Sequence, residues 1–153
     1  VMKGYYKLEE ATREAFDGDW FKTGDYGKFN SKNQLMITGR KKNLIVLSNG
    51  KNIFPEEIEN YIMGIDYIKE AVVYAVRDSK GDEKHLRAEV FLDSDAVEKM
   101  DVSDIASKLR EDIDSATAEL PSYKKITEIK IRDTEFEKTT TNKIKRNKID
   151  MSE

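Results

Sequence analysis

The sequence predicts an α+β fold, with a small sheet, a β-hairpin and packed helices, preceded by a short strand-rich segment. Three observations predict it. Apolar residues recur at helical spacing after Pro55 and again from Ile105 to Ala116. Short β-prone apolar runs, Glu70–Val76, Arg87–Leu92 and Ile126–Ile131, alternate with those helical stretches. Before residue 40 the composition changes: Tyr5, Tyr6, Phe16, Trp20, Phe21, Tyr26 and Phe29 crowd into segments punctuated by glycine.

In the first segment one helical turn is expected near Leu8–Ala15, with short strands at Phe21–Thr23 and Leu35–Thr38 joined by the polar turn Asn30–Gln34. So few strands cannot close a sheet, and so many aromatic rings need a surface to pack on. Residues 1–41 therefore read as the last strip of a larger domain, and 42–153 as a self-sufficient one.

In the second segment Leu44–Leu47 and Lys51–Ile53 flank Ser48-Asn49-Gly50, a hairpin signal because Asn and Gly tolerate positive φ. Pro55 suits the first turn of a helix, where its missing N–H costs nothing, and Glu56 and Glu57 complement the positive end of the helix dipole. Ile58, Tyr61 and Ile62 are expected on one face, with Gly64 ending the helix. A charged loop, Asp78–Lys84, joins the first two strands. Ser103 is the expected cap of the second helix, which ends before Pro121.

Composition narrows the function classes. The 27 basic and 30 acidic residues leave a net charge of −3, which argues against a general nucleic-acid or membrane binder. Cysteine is absent and His85 is the single histidine, so no thiolate or histidine-rich metal site is expected. No apolar run approaches the roughly 20 residues of a membrane span, and the first residues lack a signal-peptide core; a cytoplasmic location is the default expectation.

Four features could carry chemistry. Thr23-Gly24-Asp25 is a turn bearing a carboxylate that could accept hydrogen bonds from vicinal ribose hydroxyls, although an isolated turn of this kind is more often an Asx-type turn or helix cap. Arg40, at the end of a strand, offers a planar fork to a ribose or phosphate, but a strand-end arginine is usually a plain surface charge. Lys41-Lys42-Asn43 has no proline or β-branched residue and is permissive of a hinge or a solvated loop. Lys138–Lys148 holds basic residues and no acid. Its Lys143 could reach a phosphate as a mobile point charge, or the whole stretch could be a basic disordered tail or a weak nucleic-acid patch.

In this order the elements resemble the C-terminal portion of the adenylate-forming enzymes: acyl-CoA synthetases, peptide-synthetase adenylation domains and luciferases. GDWFKTGDYGKF and QLMITGRKKNLIVLSNGKNIFPEEIE resemble the family's ribose-binding and hinge region, and KTTTNKIKR resembles its terminal lysine motif, PKTxxGKIxR. The resemblance covers nearly the whole chain. It implies the C-terminal mobile lid of that family, with Asp25 and Arg40 on the ribose of ATP or AMP, Lys42 as hinge, Gly50 near the pantetheine of CoA, and Lys143 as the catalytic lysine. ATP, CoA and Mg2+ are the implied cofactors of the full enzyme, a carboxylic acid is its substrate, and peripheral membrane association of that enzyme is compatible with a fatty acid. No nucleic acid is implied as a partner.

Two positions depart from the pattern, Asn142 for the glycine and Glu137 for the proline. The family's phosphate-binding loop and its Tyr-Gly-x-Thr-Glu segment do not occur, so the chain alone is expected to be inactive. The Arg40–Asn43 joint and the Leu-Ile-Val-Leu-Ser-Asn-Gly run resemble bacterial long-chain acyl-CoA synthetases, whereas adenylation domains typically carry an Asp hinge and a Gln-Val-Lys strand. Another adenylate-forming enzyme, such as an adenylation domain or an aryl or medium-chain CoA ligase, and a stand-alone interaction module are the alternatives.

Overall fold

The computed structural model describes residues 1–47, 50–77, 83–100 and 102–152. The predicted turn at Ser48-Asn49 and most of the predicted loop over 78–84 lie outside these residues. The chain divides into two compact units, Val1–Lys42 and Asn43–Glu153.

The first unit is a set of local pairings without a core of its own. Helix α1 (Glu9–Ala15) leads into a hairpin of β1 (Phe16–Asp17) and β2 (Trp20–Phe21), closed by an edge-on contact between the Phe16 and Phe21 rings 5.5 Å apart. Strands β3 (Asp25–Phe29) and β4 (Leu35–Arg40) form an antiparallel ribbon. The Asn30 side chain closes its turn by accepting from the Lys32 and Gln34 amides, both at 2.9 Å. The strand expected at Phe21–Thr23 is shorter and earlier, because Phe21 pairs with Phe16 and Gly24 then turns the chain at φ +74°. Strand β3 was not expected, since a glycine at its centre weakens the alternating pattern. All buried hydrophobic residues belong to the second unit, from Ile45 onward, while Tyr6, Trp20, Phe29, Leu35 and Ile37 of the first are exposed.

The second unit is built on a three-stranded sheet. Strand β5 (Ile45–Val46) pairs antiparallel with β6 (Asn52–Ile53), and α2 (Pro55–Ile62) follows with proline in its first turn. Strands β7 (Ile68–Arg77), β8 (Glu83–Leu92) and β9 (Ile126–Arg132) lie in the order β7-β8-β9. The pair β7–β8 is antiparallel and β8–β9 parallel. A parallel pair needs a long crossover, which α3 (Ser94–Glu98) and α4 (Ile105–Ala116) supply.

One face of the sheet packs on the helices. Ile58 and Ile62 of α2, Leu109 and Ile113 of α4, Val73 of β7, Ala88 and Val90 of β8, and Ile45 and Ile53 of the hairpin make a single apolar cluster. Each Ile, Leu or Val side chain there contributes about 1.5–3 kcal/mol by leaving water. Tyr61 does not share this face fully: at 38% exposure it sits on the rim, displaced round the helix axis from the Ile58–Ile62 stripe. The helix ends on Met63 in right-handed geometry instead of on a left-handed Gly64. Asp104, not Ser103, caps α4, because its carboxylate accepts from the Ala106 and Ser107 amides and from the Ser107 hydroxyl.

The other face is covered by the chain's own end. Val72, Tyr74 and Val76 point away from the helices and pack against Phe136, Ile144, Ile149 and Met151. Two carboxylates are buried on this face, and one of them, Glu70, anchors the strap. Glu70 accepts from the Phe136 amide at 2.8 Å and pairs with Lys138. Glu89 pairs with Arg132 at 2.7 Å and accepts from the Tyr74 hydroxyl at 3.0 Å. The basic stretch is therefore part of the fold, not a disordered tail.

At the rim of the strap Glu135 lies 2.8 Å from Lys69 and 2.9 Å from Lys138. Lys69 and then Lys138 hold its carboxyl down at about 2, against an ordinary value of 4.5. A depressed carboxyl stabilises the fold above its ordinary value, and that contribution fades as pH falls from 4.5 toward 2. Because the group is exposed the effect is small and salt-sensitive. Urea midpoints measured across this window should fall less steeply for Glu135→Gln than for the unmodified chain. Identical slopes would show that Glu135 is not linked to folding.

Candidate functional site

Local structure brings two of the candidate residues together in the first unit. Asp25 opens β3 and Arg40 closes β4, directly opposite each other in the ladder. Arg40 Nε lies 2.8 Å from Asp25 Oδ1. Gly24, at φ +74°, lets the turn fold back so that its carbonyl accepts from the Lys41 amide at 2.8 Å. The Thr23 hydroxyl accepts from the Asp25 amide at 3.2 Å. The pair thus presents a carboxylate and a guanidinium together on one ribbon end. A ribose diol can donate to the first, and a ribose oxygen or phosphate can accept from the second.

Lys42 lies in a single 3-10 turn, Lys41–Asn43, at the division between the units. Past it, Asn43 donates from its side chain to Glu56 in the first turn of α2, which fixes the start of the second unit. Gly50 adopts φ +76°, and its amide donates to the Leu47 carbonyl at 2.8 Å. A Cβ built on Gly50 would meet open space, so the backbone geometry, not crowding, asks for glycine here.

Lys143 stands on a tight turn midway along the strap. The Asn142 amide donates to the Thr139 carbonyl at 2.9 Å, and the Thr139 amide to the Lys143 carbonyl at 2.8 Å. The Thr139 hydroxyl accepts from the Lys143 amide at 3.2 Å and sits 3.0 Å from the Thr141 hydroxyl. Asn142 takes φ +59°, the left-handed region that Asn enters more readily than other side-chain-bearing residues. The Lys143 side chain is exposed, and its ammonium makes no ion pair among the described residues. The neighbouring Glu137 pairs at 3.6 Å with Lys145, so its charge is directed to Lys145 and not to Lys143.

Sequence reasoning missed the residues that hold this turn. Arg146 Nη2 lies 2.5 Å from both carboxylate oxygens of Glu59, and its Nη1 donates to the Val73 carbonyl at 3.2 Å. Glu59 also accepts from the Val73 amide at 2.7 Å. Burial raises the Glu59 carboxyl above its ordinary value; the Arg146 charge and the Val73 amide act against that rise. The signal was legible: Glu59 follows Ile58 on the buried side of α2, and a carboxylate there needs a cation.

The comparisons with known proteins decide the family. Residues 42–152 match the model of the AMP-binding enzyme C-terminal domain. The chain belongs to that family. Its relatives include the long-chain-fatty-acid–CoA ligases FadD13 and FadD15 of Mycobacterium tuberculosis, 41% and 46% identical over 80 residues. A 2-succinylbenzoate–CoA ligase of Oceanobacillus iheyensis is 44% identical over 73 residues. The matches span about half of this chain (52%, 52% and 48%) but only 16%, 13% and 15% of those proteins.

Solved structures agree with the fold of an AMP-binding enzyme C-terminal domain. The o-succinylbenzoate CoA synthetase of Bacillus subtilis, in complex with its acyl-adenylate, superposes with a TM-score of 0.75 at 28% identity, over 97% of this chain and 28% of that one. A fatty acyl CoA synthetase of Mycobacterium tuberculosis superposes with 0.57 at 31% identity, over 95% and 26%.

The left-handed backbone at Asn142 makes a prediction. Asn142→Gly should leave the turn and the stability of the chain intact. Asn142→Val, with a β-branched side chain at positive φ, should cost about 1–2 kcal/mol. Chemical denaturation of the two variants checks this; equal stability would mean that the turn does not hold that geometry.

Proposed function

We propose that this chain is the C-terminal lid of an AMP-forming carboxylate–CoA ligase, with a long-chain fatty acid as the carboxylate. The observation that carries this reading is the Lys143 ammonium, held on a turn fixed at both ends and without an ion-pair partner among the described residues. In the first half-reaction a carboxylate oxygen attacks the α-phosphorus of ATP and pyrophosphate leaves. Negative charge concentrates at the reacting centre, and a placed ammonium offsets it. In the second, the CoA sulfur attacks the acyl carbonyl and AMP leaves.

Asp25 and Arg40 would hold the adenosine ribose, the carboxylate accepting from the hydroxyls and the guanidinium donating to oxygen. Lys42 would be the pivot. One lid orientation would bring in Lys143, and the other would bring the Gly50 turn beside the pantetheine, where a bare backbone admits close approach. Mg2+, which the family resemblance implies, finds no cage here: among the described residues no three His, Asp or Glu side chains converge. No step is assigned to it in this chain. No helix among the described residues is long and apolar enough to cross a membrane.

A second reading has its own support. The 44% match to a 2-succinylbenzoate–CoA ligase supports an aryl acid as the substrate, since it falls between the 41% and 46% of the two fatty-acid ligases. Adenylation assays of the full enzyme with both acid classes separate the two.

In the full enzyme Lys143→Ala should slow adenylation by about 100-fold or more while sparing thioester formation from supplied acyl-adenylate. Equal loss of both half-reactions would remove Lys143 from the role. Lys42→Pro, which fixes φ at the joint, should depress the thioester step most, and an unchanged thioester rate would argue against a pivot there. The 153-residue chain by itself should give no ATP–pyrophosphate exchange; measurable exchange would refute the assignment of chemistry to the full enzyme.

A further inference from the structure

We infer that Arg146 and Glu59 act as a positioning pair for Lys143, setting where its ammonium sits during adenylation. This inference rests on the assignment of Lys143 proposed above. Lys143 is followed by three successive tethers. Ile144 packs into the cluster of Val72, Tyr74, Val76 and Phe136. The Lys145 amide donates to the Glu137 carbonyl at 2.8 Å. Arg146 then closes on Glu59 and Val73.

The first tether fixes the turn to the outer face of β7 and the second to its own strap. The third is different in kind, because it is polar and adds α2 to the elements that hold the turn. Glu59 bridges α2 and β7, accepting from the Val73 amide at 2.7 Å while it holds Arg146 at 2.5 Å. In the circuit Arg146–Glu59–Val73 one guanidinium nitrogen, Nη2, spans both Glu59 oxygens and the other, Nη1, donates to the Val73 carbonyl, so the guanidinium's orientation is set and not merely its distance. Glu59 and Arg146 have only 12% and 23% of their side chains exposed, which shields the pair from competing water. A lysine ammonium on a flexible stem depends on its backbone for aim. A shift of about 1 Å at a reacting centre can cost about 100-fold in rate.

Neither residue would touch the substrate in this role, so the test must separate aim from folding. In the full enzyme, adenylation and thioester formation are measured separately for Arg146→Gln, Glu59→Gln and Arg146→Lys, each in the wild-type and the Lys143→Ala background. Urea midpoints are recorded alongside. In the 153-residue chain, amide hydrogen exchange is followed at Asn142 and Lys143.

The expected result is a loss of about 10- to 100-fold in the adenylation kcat for Arg146→Gln, with KM for ATP and the thioester step within about 2-fold. Arg146→Lys should recover part of that loss, and Arg146→Gln should add nothing once Lys143 is alanine. Exchange at Asn142 and Lys143 should accelerate. A parallel fall in both half-reactions, or the same loss with Lys143 already removed, would overturn the pair as a positioning device. If Lys143→Ala slows adenylation and Arg146→Gln does not, this inference alone fails. If Lys143→Ala has no effect, the functional reading fails and takes the inference with it.

Discussion

Val72, Tyr74 and Val76 turn their side chains away from the helices, and that second apolar sheet face is the constraint on which the second unit depends. A sheet with apolar residues on both faces needs two covers. Helices α2 and α4 make one, and the segment after β9 makes the other. The chain's last segment is therefore not an appendage with a motif on it. It is core on one side and candidate chemistry on the other. Covering the sheet with Phe136, Ile144, Ile149 and Met151 delivers Lys143 to a fixed place as a consequence of folding.

Charge placement follows from the same cover. The outer face of the sheet carries Glu70 and Glu89 beside its apolar residues; the strap supplies Lys138 to pair with Glu70, and the end of β9 supplies Arg132 to pair with Glu89. Burying a carboxylate without a cation would cost far more than any pair returns. Glu59 and Arg146 repeat the logic one layer over, between α2 and the turn. Breaking either partner would leave a charge buried and alone, and this is how a surface loop comes to be stiff.

Much of the second unit was legible because its signals are local. Pro55 with Glu56 and Glu57 marks the start of α2, and Ile58, Leu109 and Ile113 mark the buried faces. The misreadings have local causes too. Ser103 and Asp104 are both good caps, and only the geometry decides which side chain reaches the free amides. Tyr61 lies near the apolar stripe yet falls at its edge. Helix α3 is too short for periodicity to reveal, and it forms because Asp93 accepts from the Ala96 amide at 3.1 Å. The Asp25–Arg40 pair was legible as two residues but not as a contact, since ladder register is invisible until the Asn30 turn fixes it. The covering role of 133–152 was the largest omission, because a strap that crosses a sheet carries no periodic pattern.

The first unit exposes the other side of the problem. Its aromatic residues make hairpins and a ribbon but no core. The Asp25–Arg40 pair of the first unit and the family membership of 42–152 both enter the proposed function, the first as the ribose contact and the second as the lid. The most direct measurement is an experimental structure of the full-length enzyme with a stable acyl-adenylate analogue. The predicted result has Lys143 Nζ about 3 Å from an α-phosphate oxygen, with Asp25 on the ribose hydroxyls and Arg146 still on Glu59. An acyl-adenylate whose ribose is bound away from Asp25, with Lys143 pointing into solvent, would contradict it.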